Sequence, residues 1–240
     1  MPTYNNLEYI RVMRQLPSFV KRDIYNIPFI EKDDIDISAL NNGKWLINLK
    51  NCTSRDKNAQ NKIVHCFCFD KELNREYQNP FRFLSKVAPY EAASTLDFSM
   101  HPDMGFKEVL QATYDNRWSG AFLQSNGKKV IPTVGWVGPE YYDITFAGLR
   151  NGGVFIISTL GVNNPGCRQL FLSGYLEMRK RFPDSKIICV GNYVSGMDSD
   201  VCFVKYEDSF GSWNIELVPW QPRLLNWDMS LFEGGDHYVV

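Results

Sequence analysis

The stretch 94–193 most constrains the fold, because short apolar segments alternate there with segments whose apolar residues recur at helical spacing. The apolar segments occupy 94–98, 129–136, 154–157 and 186–190, and each ends in a cluster of polar residues or glycine. Between them, apolar side chains recur every three or four residues over 106–122, 139–149 and 165–182, which is typical of amphipathic helices. The alternation predicts an α/β fold.

Parallel strands account best for this order. Continuous apolar strands separated by helices suit a parallel sheet covered on both faces, because every parallel pair needs a crossover connection. Further strands are predicted at 45–49, 63–69 and 201–206. A complete eight-fold barrel usually takes about 250 residues, so we expect a TIM-barrel-like (β/α) repeat of mostly parallel strands, in a compact or incomplete barrel. The carboxyl ends of its strands would share one edge, where such folds bind ligands.

Composition divides the chain into three parts. Residues 1–44 mix charges of both signs and are expected to form an N-terminal extension on the outside of a barrel-like domain spanning 45–211. Residues 212–240 form an aromatic-rich C-terminal tail that contains Trp213, Trp220 and Trp227. Because aromatic side chains at this density usually become buried, we expect the tail to pack on the domain or, alternatively, to bind a protein partner.

Charge and hydropathy exclude some classes of protein. The formal net charge of −1 disfavours a broad nucleic-acid-binding surface, although a local basic patch stays open. No apolar run approaches the roughly 20 residues that span a bilayer, and the N-terminus lacks the basic-then-apolar pattern of a secretory signal. The sequence therefore predicts a soluble, cytoplasmic protein with no membrane contact.

The six cysteines do not resemble a disulfide framework. Cys66, Cys189 and Cys202 lie in apolar runs, where a free thiol behaves as a small core residue. Cys66 and Cys68 share a strand face, but no second pair of cysteines or histidines accompanies them, and the three histidines have no metal-binding spacing. We expect no metal and no cofactor.

Asp97 is the main catalytic candidate. It lies at the end of the first apolar segment, at the predicted ligand edge, and Ser99 two residues further on is an expected ligand contact there. A carboxylate there can act as a general acid, a general base or a ligand contact. An aspartate directly after a strand also commonly caps the next helix, so both interpretations stay open. The candidates for the second carboxylate that a hydrolytic pair requires are Asp70, Glu207 and Asp208.

Other strand ends carry candidate ligand contacts. Trp136 offers a stacking surface for a sugar or a base, unless it is used in packing. The hydroxyls of Ser158 and Thr159 precede a predicted helix and suit an anion, although no Walker or dinucleotide glycine pattern accompanies them. Asn192 and Tyr193 follow the strand at 186–190 and are expected to add polar contacts.

Six motifs occur in the order seen in one known family. They are DFS at 97–99, GAFLQ at 120–124, VIPTVGW at 130–136, ISTLGV at 157–162, FLSGYLEM at 171–178 and IICVG at 187–191. Across roughly 62–206 the sequence resembles the family catalogued as domain of unknown function 4417. The resemblance implies a phage or mobile-element origin, a location in the host cytoplasm if the gene is carried by a phage, and no established activity.

Three functions stay open, and whether the protein is an enzyme is among the open questions. The first is an enzyme that acts, by hydrolysis or otherwise, on a small polar ligand such as a sugar or nucleotide. Asp97 would then be the general acid or base in a pocket shaped by Trp136, Ser158, Thr159 and Asn192. The second is a non-catalytic accessory protein that binds a host or phage protein. The third is nucleic-acid processing, which needs a basic groove that the net charge does not indicate.

Overall fold

The computed structural model describes residues 15–41 and 45–207. Within these ranges the chain forms seven β-strands and five α-helices. The strands are β1 (Trp45–Asn48), β2 (Lys62–His65), β3 (Ala92–Ser94), β4 (Lys129–Ile131), β5 (Val154–Ser158), β6 (Lys186–Val190) and β7 (Cys202–Val204). The α-helices are α1 (Asp70–Gln78), α2 (Pro80–Val87), α3 (Phe106–Ser125), α4 (Tyr142–Thr145) and α5 (Pro165–Arg181). Asp208 and the 212–240 tail lie outside the described residues.

The strands are parallel and pair in chain order. β1 to β4 form one sheet and β5 to β7 form a second. A parallel bridge between Thr133 and Ile156 joins the chain just beyond β4 to β5, with hydrogen bonds of 3.0 and 3.1 Å on either side of it. The α/β class and the parallel strands are therefore confirmed. No closed barrel is present among the described strands, since they are hydrogen-bonded as two sheets.

Side-chain caps and a left-handed glycine mark the ends of several helices. The Asn164 side chain accepts a hydrogen bond from the backbone N–H of Cys167 at 2.9 Å, and Pro165 is the first residue of α5. Asn79 caps α2 in the same way, and Pro80 follows it. After α3, Gly127 adopts the left-handed backbone conformation with φ +78°. These local signals determine where the long helices begin and end.

The helix predicted at 139–149 is much shorter in the structure. A 3-10 turn, Pro139–Tyr141, leads into α4, which has only four residues. The reason is that Arg117 binds the carbonyl oxygens of Thr145 and Ala147, at 2.7 and 2.9 Å. Gly148 then adopts a φ of +74°, so the chain turns away instead of continuing the helix.

One apolar core joins the two sheets. It contains at least one buried residue from each of β1 to β6, packed together in a single cluster: Leu46, Ile63, Ala92, Ile131, Val154, Ile156, Ile188 and Val190. The opposite faces of the strands are covered by helices, with Trp118 of α3 packed against β2 to β4 and Tyr175 of α5 packed against β5 and β6. The core therefore occupies both faces of the strands, as a covered parallel arrangement requires.

The described part of the N-terminal extension belongs to this core. Ile35, Ile37 and Leu40 are buried in the same cluster as the strand residues, and Ile27 and Ile30 are buried nearby. The backbone N–H of Ile30 also donates to Gly148 at 2.9 Å. The burial of these residues differs from the predicted packing of the extension on the outside of the domain. The spacing of the isoleucines at 27–37 does not reveal from sequence which surface they cover.

No α-helix among the described residues has the length and apolar character needed to cross a membrane. The longest, α3, has 20 residues. It carries Asn116, Arg117 and Ser119 at buried positions in its middle. These polar residues face the candidate site.

A matched pair of substitutions tests whether the extension is part of the core. Ile35 is 4% exposed, whereas Ile24 in the same segment is 91% exposed. We expect Ile35→Ala to lower the free energy of unfolding by about 2–5 kcal/mol, because it removes buried methyl groups and leaves a cavity. Ile24→Ala should change it by less than about 0.5 kcal/mol. Urea unfolding measures both, and equal effects would contradict the observed packing.

Candidate acid–base site

Asp97 lies three residues beyond β3 and is half-buried. Burial raises the pKa of Asp97 to about 7. The Thr133 side chain and the charge of Arg117 oppose this rise, and the neighbouring charge of Asp70 adds to it. A carboxyl group with this pKa exchanges its proton near neutral pH, which is what general acid–base chemistry requires.

Asp70 joins the ends of β2 and β3. It is the first residue of α1, where the helix N-terminus favours a negative charge. Its Oδ1 accepts hydrogen bonds from the backbone N–H of Ser99 at 3.0 Å and from the Ser99 hydroxyl at 2.9 Å. These bonds hold the loops after the two strands together, with Asp70 close enough to Asp97 to raise its pKa. Asp70, Ser99 and Asp97 thus form one group at the carboxyl edge of the strands.

A buried guanidinium, that of Arg117, interacts electrostatically with Asp97. The Arg117 side chain donates to the backbone carbonyl oxygens of Thr133 at 3.0 Å, Thr145 at 2.7 Å and Ala147 at 2.9 Å. It also donates to Oδ1 of its neighbour Asn116. Burial lowers the pKa of Arg117 to about 9, and Asp97 opposes this change. Arg117 therefore carries its charge at neutral pH, held chiefly by carbonyl oxygens.

Hydroxyl and amide groups connect Arg117 to the site. The Asn116 amide nitrogen donates to the Leu96 carbonyl at 3.0 Å and to the Thr133 hydroxyl. The Thr133 hydroxyl lies 2.8 Å from that of Thr95, which also accepts the backbone N–H of Thr133 at 2.8 Å. Asn116, Thr95 and Thr133 are all buried. The result is a polar network sealed between α3 and the ends of β3 and β4.

Sequence analysis missed these network residues. The available signal was the polar run Asn116, Arg117 and Ser119 inside an otherwise apolar helix, together with Thr133 at a strand end. Such residues in a helix are more often on the solvent side. Their burial follows from bonds to Leu96, Thr133 and the 145–147 segment, which are remote in sequence.

The candidates after β5 and β6 form a second group. The Ser158 hydroxyl donates to the Val190 carbonyl at 3.1 Å and accepts the N–H of Leu160 at 3.0 Å. The Thr159 hydroxyl donates to the Asn192 carbonyl at 2.9 Å. The hydroxyl protons of both residues are thus used to connect these two strand ends. Their predicted role in binding an anion stays a prediction.

Trp136 is packed against α5. Its ring lies directly over Gly174, where a Cβ atom would come within 2.1 Å of the indole, and its centroid is 5.3 Å from that of Phe171. It belongs to the cluster that covers the helix side of β5 and β6, and it is half-buried. Most of the ring therefore serves packing, and a stacking role is limited to the part that stays accessible.

The remaining candidates are exposed. Asn192 and Glu207 lie on the surface, and Tyr193 is 59% exposed with its ring edge against Phe203 at 5.7 Å. All three follow β6 or β7, at the same edge as Asp97. Glu207 and Asp208 as second carboxylates stay predictions, whereas Asp70 is the carboxylate found beside Asp97.

The described residues contain no group of three or more histidine, cysteine, aspartate or glutamate side chains suited to a metal ion. His65 is fully buried beside Phe67 and Tyr206, and burial lowers its pKa to about 3. Burial raises the pKa of Cys68 to about 11 and that of Cys52 to about 12, so both thiols are protonated at neutral pH.

A cavity of about 350 Å³ opens at the opposite end of the strands. It lies between the N-terminal segment, including Phe19 and Phe29, and the end of α3 with Gln124 and Lys128. Since the chemistry described above is at the carboxyl edge, this cavity is separate from the candidate site.

The fold and the site together define an α/β protein of sequential parallel strands with paired carboxylates at their carboxyl edge. The chain matches the family described as Domain of unknown function (DUF4417) over residues 19–207, and it belongs to that family. The family match begins at residue 19 and therefore includes Ile35, Ile37 and Leu40, which are buried in the core. The resemblance drawn from the sequence motifs is thereby confirmed.

Two relatives are phage proteins. The Gene 1 protein of Mycobacterium phage L5 is 33% identical over 149 residues, which is 61% of this chain and 65% of the phage protein. The Gene 1 protein of Mycobacterium phage D29 is 33% identical over 129 residues, 53% of this chain and 48% of that protein. The chain thus spans about half to two thirds of the length of these relatives. No solved structure matches the chain with significance.

The raised pKa of Asp97 predicts a pH-dependent stability. Because the pKa is about 7 in the folded protein and 3.8 for the free side chain, the folded state binds more protons between these values. The free energy of unfolding should therefore fall as the pH rises from about 4 to about 7. Asp97→Asn lacks this titration, and its stability relative to wild type should rise by up to about 4 kcal/mol over that interval. Urea unfolding at several pH values tests this, and a constant difference would contradict it.

The packing of Trp136 predicts different effects for two glycines of α5. Gly174→Ala should lower the free energy of unfolding by about 1–3 kcal/mol, because the new methyl group overlaps the indole. Gly166→Ala is the matched control, since its Cβ would meet nothing closer than 3.5 Å. It should be neutral or slightly stabilising, because alanine favours the helix. Thermal or urea unfolding distinguishes the two, and equal stabilities would refute the packing of Trp136 on Gly174.

Proposed function

We propose that this protein is an enzyme of phage origin that performs acid–base chemistry on a small polar ligand, such as a sugar or nucleotide, with Asp97 as the proton-exchanging group. The observation that carries the proposal is a half-buried carboxyl group whose pKa is raised to about 7 at the edge of the strands. Perturbed carboxyl groups of this kind are concentrated at functional sites.

The surroundings of Asp97 support this role over that of a helix cap. The next helix, α3, begins only at Phe106, and its first turn is capped by Gly105 and Glu108. Asp97 is therefore not used to start a helix. Its pKa is influenced instead by Thr133 and by the charges of Asp70 and Arg117.

The proposed architecture is an incomplete TIM-barrel-like arrangement. Its support is the sequential parallel pairing of the strands and the single apolar cluster that one face of them shares. In such folds the loops after the strands form the ligand site. Ser99, Ser158, Thr159, Asn192 and Tyr193 all belong to those loops or strand ends, so they are the proposed ligand contacts around Asp97.

The chemistry proposed is proton transfer to or from an oxygen or nitrogen atom of the ligand. In its protonated form Asp97 acts as the acid, and in its ionised form as the base. Activity that needs the acid would decline above a pH of about 7, and activity that needs the base would decline below it. The proposed location is the cytoplasm of the host, on the strength of the phage relatives.

A non-catalytic accessory role is the alternative, and one observation favours it. Apolar side chains are exposed at the same edge, with Phe69 63%, Leu160 45% and Tyr193 59% accessible. Exposed apolar patches are typical of protein-binding surfaces. In that role the strand edge would bind a host or phage protein.

A thermal-shift screen distinguishes the two functions. The purified full chain, Asp97→Asn and the control Asp103→Asn, an exposed aspartate of the same loop, are each heated with nucleotides, sugars, inorganic phosphate or divalent metal salts. We expect at least one small polar compound to raise the melting temperature of the wild type and of Asp103→Asn but not of Asp97→Asn, because only a bound ligand stabilises the folded state. Turnover of that compound is then measured against pH. If no compound shifts the melting temperature, or Asp97→Asn keeps the shift, the proposal fails and the accessory role is favoured.

A further inference from the structure

We infer that the cavity between the N-terminal segment and the end of α3 binds a small zwitterion, namely a free amino acid with an apolar side chain. The carboxylate of the ligand faces Lys21, its ammonium group faces Asp33, and its side chain lies against Phe19 and Phe29, all of which line the cavity. The cavity is at the opposite end of the strands from Asp97, so the inference goes beyond the proposed function and does not depend on it.

The cavity has the size and the mixed walls of a small-molecule site. Its volume is about 350 Å³, and small-molecule sites typically measure about 300–1,000 Å³ and combine apolar walls with a few polar groups. One wall is the end of α3, including Gln124 and Ser125, and the other is the N-terminal segment. The Gln124 side chain accepts the backbone N–H of Glu31 at 3.0 Å and donates to the Glu31 carbonyl at 2.8 Å. These two hydrogen bonds hold the walls together.

Three charged side chains of the lining already have partners in the protein. The Lys128 ammonium group donates to the Tyr90 carbonyl, and that of Lys129 donates to a backbone carbonyl of the N-terminal segment at 2.7 Å. Glu31 forms an ion pair with Arg150 at 2.9 Å. These three side chains are therefore directed toward other parts of the chain.

Lys21 and Asp33 keep polar atoms for a ligand. Asp33 uses only its Oδ2 atom within the protein, which accepts from the Gln124 side chain and from the backbone N–H of Val130, both at 2.7 Å. Within residues 15–41 and 45–207, the Oδ1 atom of Asp33 and the ammonium group of the exposed Lys21 have no hydrogen-bond or ion-pair partner. One negative and one positive group in the same cavity are thus available to a ligand that carries both charges.

Two phenylalanine rings provide the apolar part of the site. Phe19 is 72% exposed, and Phe29 has the Arg150 guanidinium over its ring, 3.9 Å from the ring centroid. The backbone N–H of Phe29 donates to the Lys21 carbonyl at 2.9 Å, so these two residues are neighbours on the same wall. An apolar side chain placed against the rings removes aromatic surface from water, which favours binding.

These three features together select the class of ligand. A simple anion such as phosphate would pair with Lys21 but would meet the like charge of Asp33 in the same cavity, and a simple alkylammonium ion would meet the reverse arrangement. An amino acid with an apolar side chain matches the anionic, the cationic and the apolar part of the cavity at once. Its two ionised groups form charge-assisted hydrogen bonds, which are stronger than neutral ones.

The test is isothermal titration calorimetry of the full chain with L-phenylalanine and with two blocked forms of it. N-acetyl-L-phenylalanine lacks the ammonium group, and L-phenylalaninamide lacks the carboxylate, while both keep the ring. We expect L-phenylalanine to bind and each blocked form to bind about tenfold or more weakly, because each leaves one charge of the cavity unpaired. No binding of L-phenylalanine at millimolar concentration, or equal binding of a blocked form, would overturn the inference.

Matched variants locate the binding in the cavity. Lys21→Gln, Asp33→Asn and Phe19→Ala should each weaken the binding of L-phenylalanine about tenfold or more. Lys32→Gln and Asp34→Asn are the controls, since both residues are exposed neighbours in the same segment that do not line the cavity. The controls should bind as the wild type does, and equal effects in the two sets would refute the site.

The variants are expected to fold, and the melting temperature checks this. Lys21 and Phe19 are exposed, and Asp33→Asn keeps an oxygen atom for the two hydrogen bonds that Oδ2 accepts. The comparison of blocked ligands uses the wild type alone, so it decides the question even if a variant is unstable. Asp97→Asn should bind L-phenylalanine unchanged, and a loss of binding there would place the ligand at the carboxyl edge and overturn the inference. The inference and the proposed function therefore succeed or fail separately.

Discussion

The buried guanidinium of Arg117 is the constraint on which the site depends. An isolated charge away from water is highly unfavourable unless hydrogen bonds compensate for the lost solvent. Arg117 obtains these bonds from the carbonyl oxygens of Thr133, Thr145 and Ala147 and from Asn116. These groups belong to α3, to the chain beyond β4, and to the end of α4 with the residues that follow it. One side chain therefore determines how three parts of the fold meet.

The same hydrogen bonds explain why the helix predicted at 139–149 is interrupted. A helix continuing through Thr145 and Ala147 would use their carbonyl oxygens internally, and Arg117 would then lack partners. The chain instead turns at Gly148, whose carbonyl accepts the N–H of Ile30 from the N-terminal segment. A local departure from regular structure thus satisfies the buried charge and also anchors residues 27–40 to the core.

The parts of the fold that could be predicted from sequence are those that depend on local patterns. Apolar runs such as 154–157 and 186–190, and caps such as Asn164 with Pro165, determine strands and helix starts within a few residues. At the site, the order of the strands predicts that Asp97, Asp70 and Ser99 lie at the carboxyl edge of the strands. The short α4, the burial of Ile35 and the network under Asp97 could not be predicted. They depend on contacts such as Arg117 with Ala147, 30 residues apart, which leave no periodic signal.

The burial of Asp97 is energetically unfavourable at neutral pH. A carboxyl group kept at a pKa of about 7 makes the folded state less favourable at neutral pH than an ordinary polar side chain would. The Thr133 side chain and the buried charge of Arg117 offset only part of this cost. Asn116 and Thr133 could bond each other and the backbone without any carboxyl group beside them. The raised pKa therefore does not contribute to stability at neutral pH, and the proton exchange proposed for Asp97 would be the use of this arrangement.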